Sequence, residues 1–83
     1  MPSLEYIVAE QAQYVTNSGY EVVIDRSMPT VTLVNPDPDY SVFLDFEWAD
    51  VFITKVDELA EQLPDVNEGT LELSIAKQYI DCF

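Results

Sequence analysis

The side chains able to do chemistry in this sequence are almost all carboxylates. Asp and Glu make up 16 of the 83 residues, against three Lys and Arg and no histidine. A chain without histidine lacks the usual general base, the usual transition-metal ligand and the base of the common nucleophilic triads. The single cysteine, Cys82, has no such base to activate it. We therefore predict that the protein is not an enzyme.

Carboxylates alone can hold calcium or catalyse hydrolysis, but each of these sites needs a pattern that is missing here. Asp37-Pro38-Asp39 resembles the opening of a calcium loop, without the glycine of its turn or the glutamate that closes it. Asp45 and Glu47 lack the lysine that follows the second acid of restriction-type nucleases. No carboxylate lies within an apolar stripe that would raise its pKa for glycoside hydrolysis. We predict neither a metal site nor a cofactor.

The net charge of −13 limits the partners that the protein can bind. Three cations are too few to bind nucleic acid through its phosphates, and two glycines cannot form a glycine-rich phosphate loop. The excess of like charge lowers the stability of a compact domain through self-repulsion. This loss of stability is explained if the electric field of the negative charges has a function. The field could steer a basic partner to the protein, or it could repel nucleic acid and membranes. The alternative is that the charge only keeps a small protein soluble.

Length and composition predict a single domain in the cytoplasm. Residues 1–83 suffice for one core and not for two, and 48% hydrophobic residues separate the chain from acidic disordered segments. One cysteine cannot form an internal disulfide, which favours a reducing compartment. The sequence has no signal-peptide pattern and no apolar run near the ~18 residues of a membrane span. We therefore expect no interaction with a membrane.

Hydrophobic periodicity predicts an α+β domain with the element order α-β-β-β-α-α. Apolar residues at helical spacing favour a first helix over about residues 4–16, which Asn17-Ser18-Gly19 ends. Alternation with a period of two then predicts strands over residues 20–25, 30–34 and 40–47. Their connections are short enough only for antiparallel neighbours, so we predict a three-stranded meander.

The period lengthens again after the third strand, which predicts two more helices. The second begins at Trp48 and ends before Pro64, although β-branched residues over 51–54 could instead prolong the third strand. The third helix begins near Leu71, although residues 70–75 also alternate as a strand does. The expected buried stripe of the second helix comprises Trp48, Val51, Phe52, Val56, Leu59, Ala60 and Leu63.

The helices should cover one face of the sheet and leave the other in water. The predicted covered face comprises Tyr20, Val22, Ile24, Val31, Leu33, Val42, Leu44 and Phe46. The same register gathers four carboxylates on the opposite face, Glu21, Asp25, Asp45 and Glu47, with Val23 and Phe43 between them. The sequence therefore predicts an acidic surface that carries apolar residues.

Several carboxylates are predicted at separations that resemble the spacing of successive phosphates. Residues two apart on a strand lie about 6.6 Å apart, which fits Asp45 with Glu47 and Asp37 with Asp39. Residues three or four apart on a helix lie about 5–6 Å apart, which fits Asp57 and Glu58 with Glu61. The predicted partner-binding residues are Glu21, Asp25, Asp37, Asp39, Phe43, Asp45, Glu47, Asp50, Asp57, Glu58 and Glu61. Such an array can compete with DNA for a basic cleft.

In length, acidity and element order the chain resembles the small phage-encoded anti-defence proteins that mimic DNA. It is most similar in these respects to anti-CRISPR proteins that occupy the DNA-binding groove of Cas9. The segments that carry the resemblance are residues 19–25, 35–40 and 45–50. The resemblance implies a non-catalytic anti-CRISPR or anti-restriction inhibitor in the host cytoplasm, bound to a basic nucleic-acid-binding protein such as a defence nuclease.

A structural or regulatory interaction module is the alternative. Here the protein is a homodimer, a larger homo-oligomer or an assembly subunit, and its interface is apolar. The candidate interface residues are Tyr14, Phe43, Ile80 and Phe83. Ionic strength separates the two hypotheses, because salt weakens binding through a charged face and leaves apolar association intact.

Overall fold

The elements follow the predicted order α-β-β-β-α-α, so the domain is α+β. The structure, a computed structural model, describes residues 3–82; Phe83 and the side chain of Cys82, with the predictions made for them, lie outside the described residues. The helices are α1 (Leu4–Asn17), α2 (Phe46–Gln62) and α3 (Glu68–Cys82). The strands are β1 (Glu21–Asp25), β2 (Thr30–Val34) and β3 (Val42–Asp45), and a 3₁₀ helix covers Pro38–Tyr40.

The three strands form the predicted antiparallel meander, with β2 in the centre. Two cross-strand rows face the helices, Ile24-Val31-Leu44 and Val22-Leu33-Val42. The row between them, Val23-Thr32-Phe43, points to the opposite side, because successive side chains of a strand alternate between faces. The covered face is therefore confirmed, with the exception of Phe46.

α1 lies where the sequence predicts it, and α3 begins at Glu68, a few residues before the predicted start near Leu71. Ser3 Oγ accepts a hydrogen bond from the Tyr6 N–H at 3.2 Å and caps the start of α1. Gly19, at a φ of 84°, follows its end with a backbone conformation that a side chain would strain. Residues 70–75 belong to α3, so the helical interpretation is confirmed there.

α2 and α3 cover the sheet, α1 packs on α3, and the elements enclose one cluster of buried side chains. α2 packs on β2 and β3, while α3 packs on β1, α2 and α1. Phe52 and Val56 of α2 are fully buried together with Leu33 of β2. The hydroxyl of Ser74, which is also buried, donates to the side-chain carbonyl of Gln11 and so links α3 to α1. Burial of these apolar side chains is the main force that holds the elements together.

The third strand ends earlier than predicted, and α2 follows it without a linker. β3 stops at Asp45, and Phe46 is already the first residue of α2. The backbone of Phe46 turns at a φ of 47°, and its N–H donates to the carbonyl of Pro29 at 3.2 Å. The predicted core position of Phe46 is wrong, because its side chain is 71% exposed. The predicted position of Glu47 on the exposed sheet face is also wrong, because Glu47 lies in α2.

The predicted buried stripe of α2 is confirmed from Phe52 onward, since Phe52 and Val56 are buried and Leu59, Ala60 and Leu63 pack against the core, but it is wrong at the start of the helix. Trp48 and Val51 belong to that stripe, but both are exposed. Ala49 and Ile53 are buried in their place, next to the correctly predicted Phe52. Both sets of positions repeat at three and four residues, so periodicity does not choose between them. The start of the helix at Phe46 sets its rotation and decides which set meets the sheet.

Substitutions at Phe52 and Trp48 test this rotation of α2. Phe52→Ala removes a ring that is 0% exposed, and we expect the free energy of unfolding to fall by ~3–5 kcal/mol. Trp48→Ala removes a ring that is 63% exposed, and we expect a loss below ~1 kcal/mol. Urea unfolding followed by circular dichroism measures both. A larger loss for Trp48→Ala than for Phe52→Ala would contradict the observed packing.

Candidate protein-binding surface

Exposed aromatic side chains gather where β3 passes into α2. Phe43 is 61% exposed, and Phe46 and Trp48 are more exposed still. Val51, one helical turn after Trp48, is exposed as well. We call these four residues the junction patch. Single exposed apolar side chains are ordinary on a protein surface, whereas a group of large ones is typical of an interaction site.

An open groove of about 390 Å³ lies within the junction patch. Its walls come from β3, α2 and α3, and its lining residues are Phe43, Leu44, Trp48, Val51, Lys55, Gln78 and Tyr79. The Lys55 ammonium lies 5.6 Å from the centroid of the Tyr79 ring and donates to Gln78 Oε1 at 3.4 Å. The groove is therefore apolar, with a cation held in one wall.

Phe46 is the only described residue other than glycine with a positive φ. A bulky side chain rarely adopts this left-handed conformation, which costs of order 1–3 kcal/mol. The residue also leaves its ring in water, so burial of the ring does not offset that cost. Strained residues cluster at sites of function, which supports a role for the Phe46 ring in binding.

Replacement of Phe46 separates its backbone strain from its side chain. Phe46→Gly relieves the strain, and we expect the free energy of unfolding to rise by ~1 kcal/mol because the exposed ring contributes little. Phe46→Ala removes the same ring but keeps a Cβ at positive φ, so this control should show no gain. Urea unfolding midpoints measure the difference. Equal stability of the two variants would show that the turn is not strained.

Five carboxylates form a row on the solvent side of α2. They are Glu47, Asp50, Asp57, Glu58 and Glu61, and all are exposed. At 100° per residue they fall within one sector of about 100°, and at 1.5 Å per residue they extend over about 21 Å. We call this set the α2 acidic row. The predicted helical spacing of Asp57 and Glu58 with Glu61 is confirmed, while the strand spacing of Asp45 with Glu47 is wrong because β3 ends between them.

One member of the α2 acidic row also contributes to the fold. Arg26, in the turn between β1 and β2, donates to both carboxylate oxygens of Asp57 at 3.1 and 3.2 Å. It also donates to Glu68 of α3 at 3.1 Å. The hydrogen bond to Asp57 is the main cause that raises the pKa of Arg26 above its ordinary value. Asp57 therefore ties α2 to this turn, and it is less available to a partner than its neighbours.

Neutralisation of Asp57 should lower the stability of the fold, whereas neutralisation of Asp50 should not. Asp57→Asn weakens the pair with Arg26, and we expect a loss of ~0.5–1 kcal/mol because the pair is exposed to solvent. Asp50→Asn only relieves repulsion, so stability should stay unchanged or rise slightly. Urea unfolding at low ionic strength measures both, and added salt should reduce the difference. An equal effect of the two substitutions would contradict a structural role for Asp57.

Two predicted residues of the exposed sheet face lie in one cross-strand row, Asp25-Thr30-Asp45. Adjacent strands lie about 4.8 Å apart, so the backbones of Asp25 and Asp45 are about 10 Å apart. The Ser27 hydroxyl and N–H donate to Asp25 Oδ1 at 2.6 and 2.9 Å, and these bonds lower the pKa of Asp25. Asp25 thus stabilises its turn, whereas Asp45 is an exposed neighbour of the junction patch.

The other predicted acids lie at the opposite end of the sheet. Glu21 pairs with Val34 at the last position of β2, and the chain then enters the connection that holds Asp37 and Asp39. Asp37 accepts a hydrogen bond from the Asp39 N–H at 3.1 Å and caps the 3₁₀ helix. The predicted extended spacing of these two aspartates is therefore wrong. Glu21, Asp37 and Asp39 do not share a surface row with α2.

The structure divides the predicted site into two groups. The first group follows the β3–α2 junction and α2, and it comprises Phe43, Asp45, Glu47, Asp50, Asp57, Glu58 and Glu61. The second group, Glu21, Asp25, Asp37 and Asp39, lies on β1 and in the connection between β2 and β3. Sequence reasoning missed the exposed Phe46, Trp48 and Val51. One signal could have found them. No turn residue separates the strand pattern from the helix pattern, so some apolar side chain at this junction had to leave the core.

Comparisons with known proteins add no function to this surface. No protein-family model matches the sequence, and no curated protein or solved structure matches it. Within residues 3–82, no group of three or more Cys, Asp and Glu side chains is arranged to hold a metal ion. In the same part of the chain, no helix combines the length and the apolar character needed to cross a bilayer.

Proposed function

We propose that this protein is a non-catalytic binding protein that docks its α2 acidic row and junction patch onto a basic, nucleic-acid-binding protein. The observation that carries the proposal is the position of exposed aromatic rings next to a row of carboxylates on one rigid element. By occupying a cleft that grips nucleic acid, the protein inhibits or modulates its partner.

The cations of the described residues leave most of the α2 acidic row uncompensated. Arg26 is shared between Asp57 and Glu68. Lys77 pairs with Asp81 at 2.6 Å within α3. Lys55 is held in the groove beside Tyr79 and Gln78. Glu47, Asp50, Glu58 and Glu61 therefore face solvent without a cationic partner among the described residues, and their negative field attracts a basic partner over about a Debye length.

The junction patch supplies the short-range contacts that long-range charge does not provide. Long-range attraction raises the rate of association and selects partners, but most affinity comes from a few buried side chains that slow dissociation. Aromatic side chains are enriched among such anchors. Phe46 and Trp48 project from the start of α2, so they adjoin the Glu47 end of the acidic row. The two features together are typical of a protein-binding surface.

The length and rigidity of the row favour a nucleic-acid-binding partner. The row extends about 21 Å along a helix, so its carboxylates keep their separations in the free protein. A cleft that binds a nucleic-acid backbone presents basic groups along a similar line. Because the carboxylates are already arranged in the free protein, little conformational entropy is lost when they bind such a cleft. The resemblance to phage anti-defence proteins agrees with inhibition as the biological effect.

The junction patch also supports the alternative hypothesis, in which the protein is a self-associating module. Of its candidate residues, Ile80 is half-buried against the core, and Tyr14 has the Lys77 ammonium 4.8 Å from its ring centroid. Phe43 belongs to the junction patch, which is a larger exposed apolar surface. However, association of two chains that each carry a net charge of −13 is opposed by repulsion, especially at low salt.

Variants with three neutralised carboxylates test the proposed function through capture of partners from a bacterial lysate. The wild-type protein should retain nucleic-acid-binding proteins at about 50 mM salt and release them at about 300 mM salt or on addition of duplex DNA. The variant Asp50→Asn/Glu58→Gln/Glu61→Gln should retain far less, because it breaks the α2 acidic row.

A second triple variant controls for total charge. Glu5→Gln/Glu10→Gln/Asp65→Asn also removes three charges, at exposed positions outside α2, and should retain partners as the wild type does. Equal losses for both variants would show that only the net charge matters and would overturn the proposed site. Self-association that resists salt, without any nucleic-acid-binding partner, would favour the alternative module.

A further inference from the structure

The edge of β3 that faces away from β2 is open. β3 is the last strand of the sheet, and it pairs only with β2. The bond from the Phe46 N–H to the Pro29 carbonyl continues this ladder beyond the strand end. In an antiparallel ladder every second residue points its backbone groups to the partner strand. Leu44 and Val42 are the residues that alternate with Phe46, so they bond to β2.

The same alternation directs the backbone groups of Phe43 and Asp45 away from the sheet. The N–H and C=O of Phe43 and the N–H of Asp45 therefore line the open edge, while the carbonyl of Asp45, the N-cap of α2, accepts the first hydrogen bond of the helix. Outside the sheet, neither N–H donates a backbone hydrogen bond within the described residues. An unpaired strand edge is a template for one more strand, and proteins commonly protect it with charge or cover. Here the open strand is short but carries the aromatic ring of Phe43.

The groove runs along this same edge. Phe43 and Leu44 are adjacent in β3 and point to opposite faces of the sheet, so both can line one groove only at the open side of the strand. Trp48 and Val51 of α2 form its other wall. A chain laid beside β3 would thus make main-chain hydrogen bonds to Phe43 and Asp45 and place a side chain in an apolar groove.

The charges around the edge indicate which side chains the added segment carries. Asp45 lies on the edge itself, and Glu47 lies one helical turn from Val51 in the groove wall. Glu58 follows Lys55 by three residues, so it adjoins the far end of the groove. A second copy of this acidic protein would bring like charges together here. A segment that combines apolar and cationic side chains would meet both the groove and its acidic rim.

We infer that the open edge of β3 is a strand-addition site for an extended peptide segment of the partner, in which apolar and basic side chains alternate. The apolar side chains enter the groove between Phe43, Trp48 and Val51, and the basic ones meet Asp45 and Glu47. This inference rests on the proposed function for the basic character of the partner. It adds strand addition as the mode of binding and places the main contact with the partner at the edge of the sheet.

Amide hydrogen exchange monitored by NMR tests the site with a defined probe. The probe is a peptide of about eight residues in which Val and Lys alternate, and a peptide of alternating Val and Glu is its control. Binding of the first peptide should slow exchange of the Phe43 and Asp45 amides about tenfold or more. The Val42 and Leu44 amides, which already bond to β2, should change little. The Val-Glu peptide should not bind.

Two substitutions locate the groove. Trp48→Ala should weaken binding of the Val-Lys peptide about fivefold or more, because it removes an aromatic wall. Val23→Ala is the matched control, since Val23 is an exposed apolar residue on β1. It should change affinity less than about twofold.

Failure of the peptide to bind, or binding without protection of the two edge amides, would overturn the inference. Protection that appears without peptide and grows with protein concentration would assign the edge to a second copy.

The α2 variant with three neutralised carboxylates keeps this test separate from that of the proposed function. If the Val-Lys peptide protects the edge amides while Asp50→Asn/Glu58→Gln/Glu61→Gln retains partners from the lysate as the wild type does, the strand-addition site stands and the role of the α2 acidic row fails. If that variant retains far fewer partners while the edge amides never change with the peptide, the acidic row stands and the strand-addition site fails.

Discussion

The backbone turn at Phe46 connects the sheet to α2 and determines which side of that helix is buried. The N–H of Phe46 still bonds to Pro29 as part of the ladder, while its left-handed φ of 47° sends the next residue into the helix. Because no linker intervenes, the orientation of β3 sets the rotation of α2. Ala49, Phe52 and Ile53 then face the core, and Trp48 faces water. The junction patch is a direct result of this turn.

The shortage of positive charge is the second constraint on the molecule. Two of the three cations form ion pairs within the described residues, Arg26 with Asp57 and Glu68 and Lys77 with Asp81. These bonds hold the β1–β2 turn and α3 but leave most carboxylates without a counterion. Exposed pairs of this kind contribute little stability, so burial of the apolar core must outweigh the repulsion. The surplus negative charge is then available to act on other molecules.

The two constraints meet at one end of the domain. The aromatic rings of the junction patch, the Glu47 end of the α2 acidic row and the open edge of β3 all lie where the strand passes into the helix. Charge acts over a distance of about a Debye length, whereas the rings and the strand edge act only on contact. In the proposed function, the charge attracts the partner, and the rings and the strand edge retain it.

Four features can be read from the amino-acid sequence alone: the element order, the antiparallel meander, the covered face around Val31 and Leu33, and the excess of carboxylates. These follow from local periodicity, short connections and composition, which neighbouring residues set among themselves. The strand spacing of Asp45 with Glu47 and the core positions of Phe46 and Trp48 were wrong. Two overlapping stripes on α2 both satisfy helical periodicity, and only the turn at Phe46 and the packing of α2 on β2 and β3 choose between them. That choice, which converts predicted core residues into an exposed aromatic surface, was made by the tertiary structure because it depends on contacts between segments far apart in the chain.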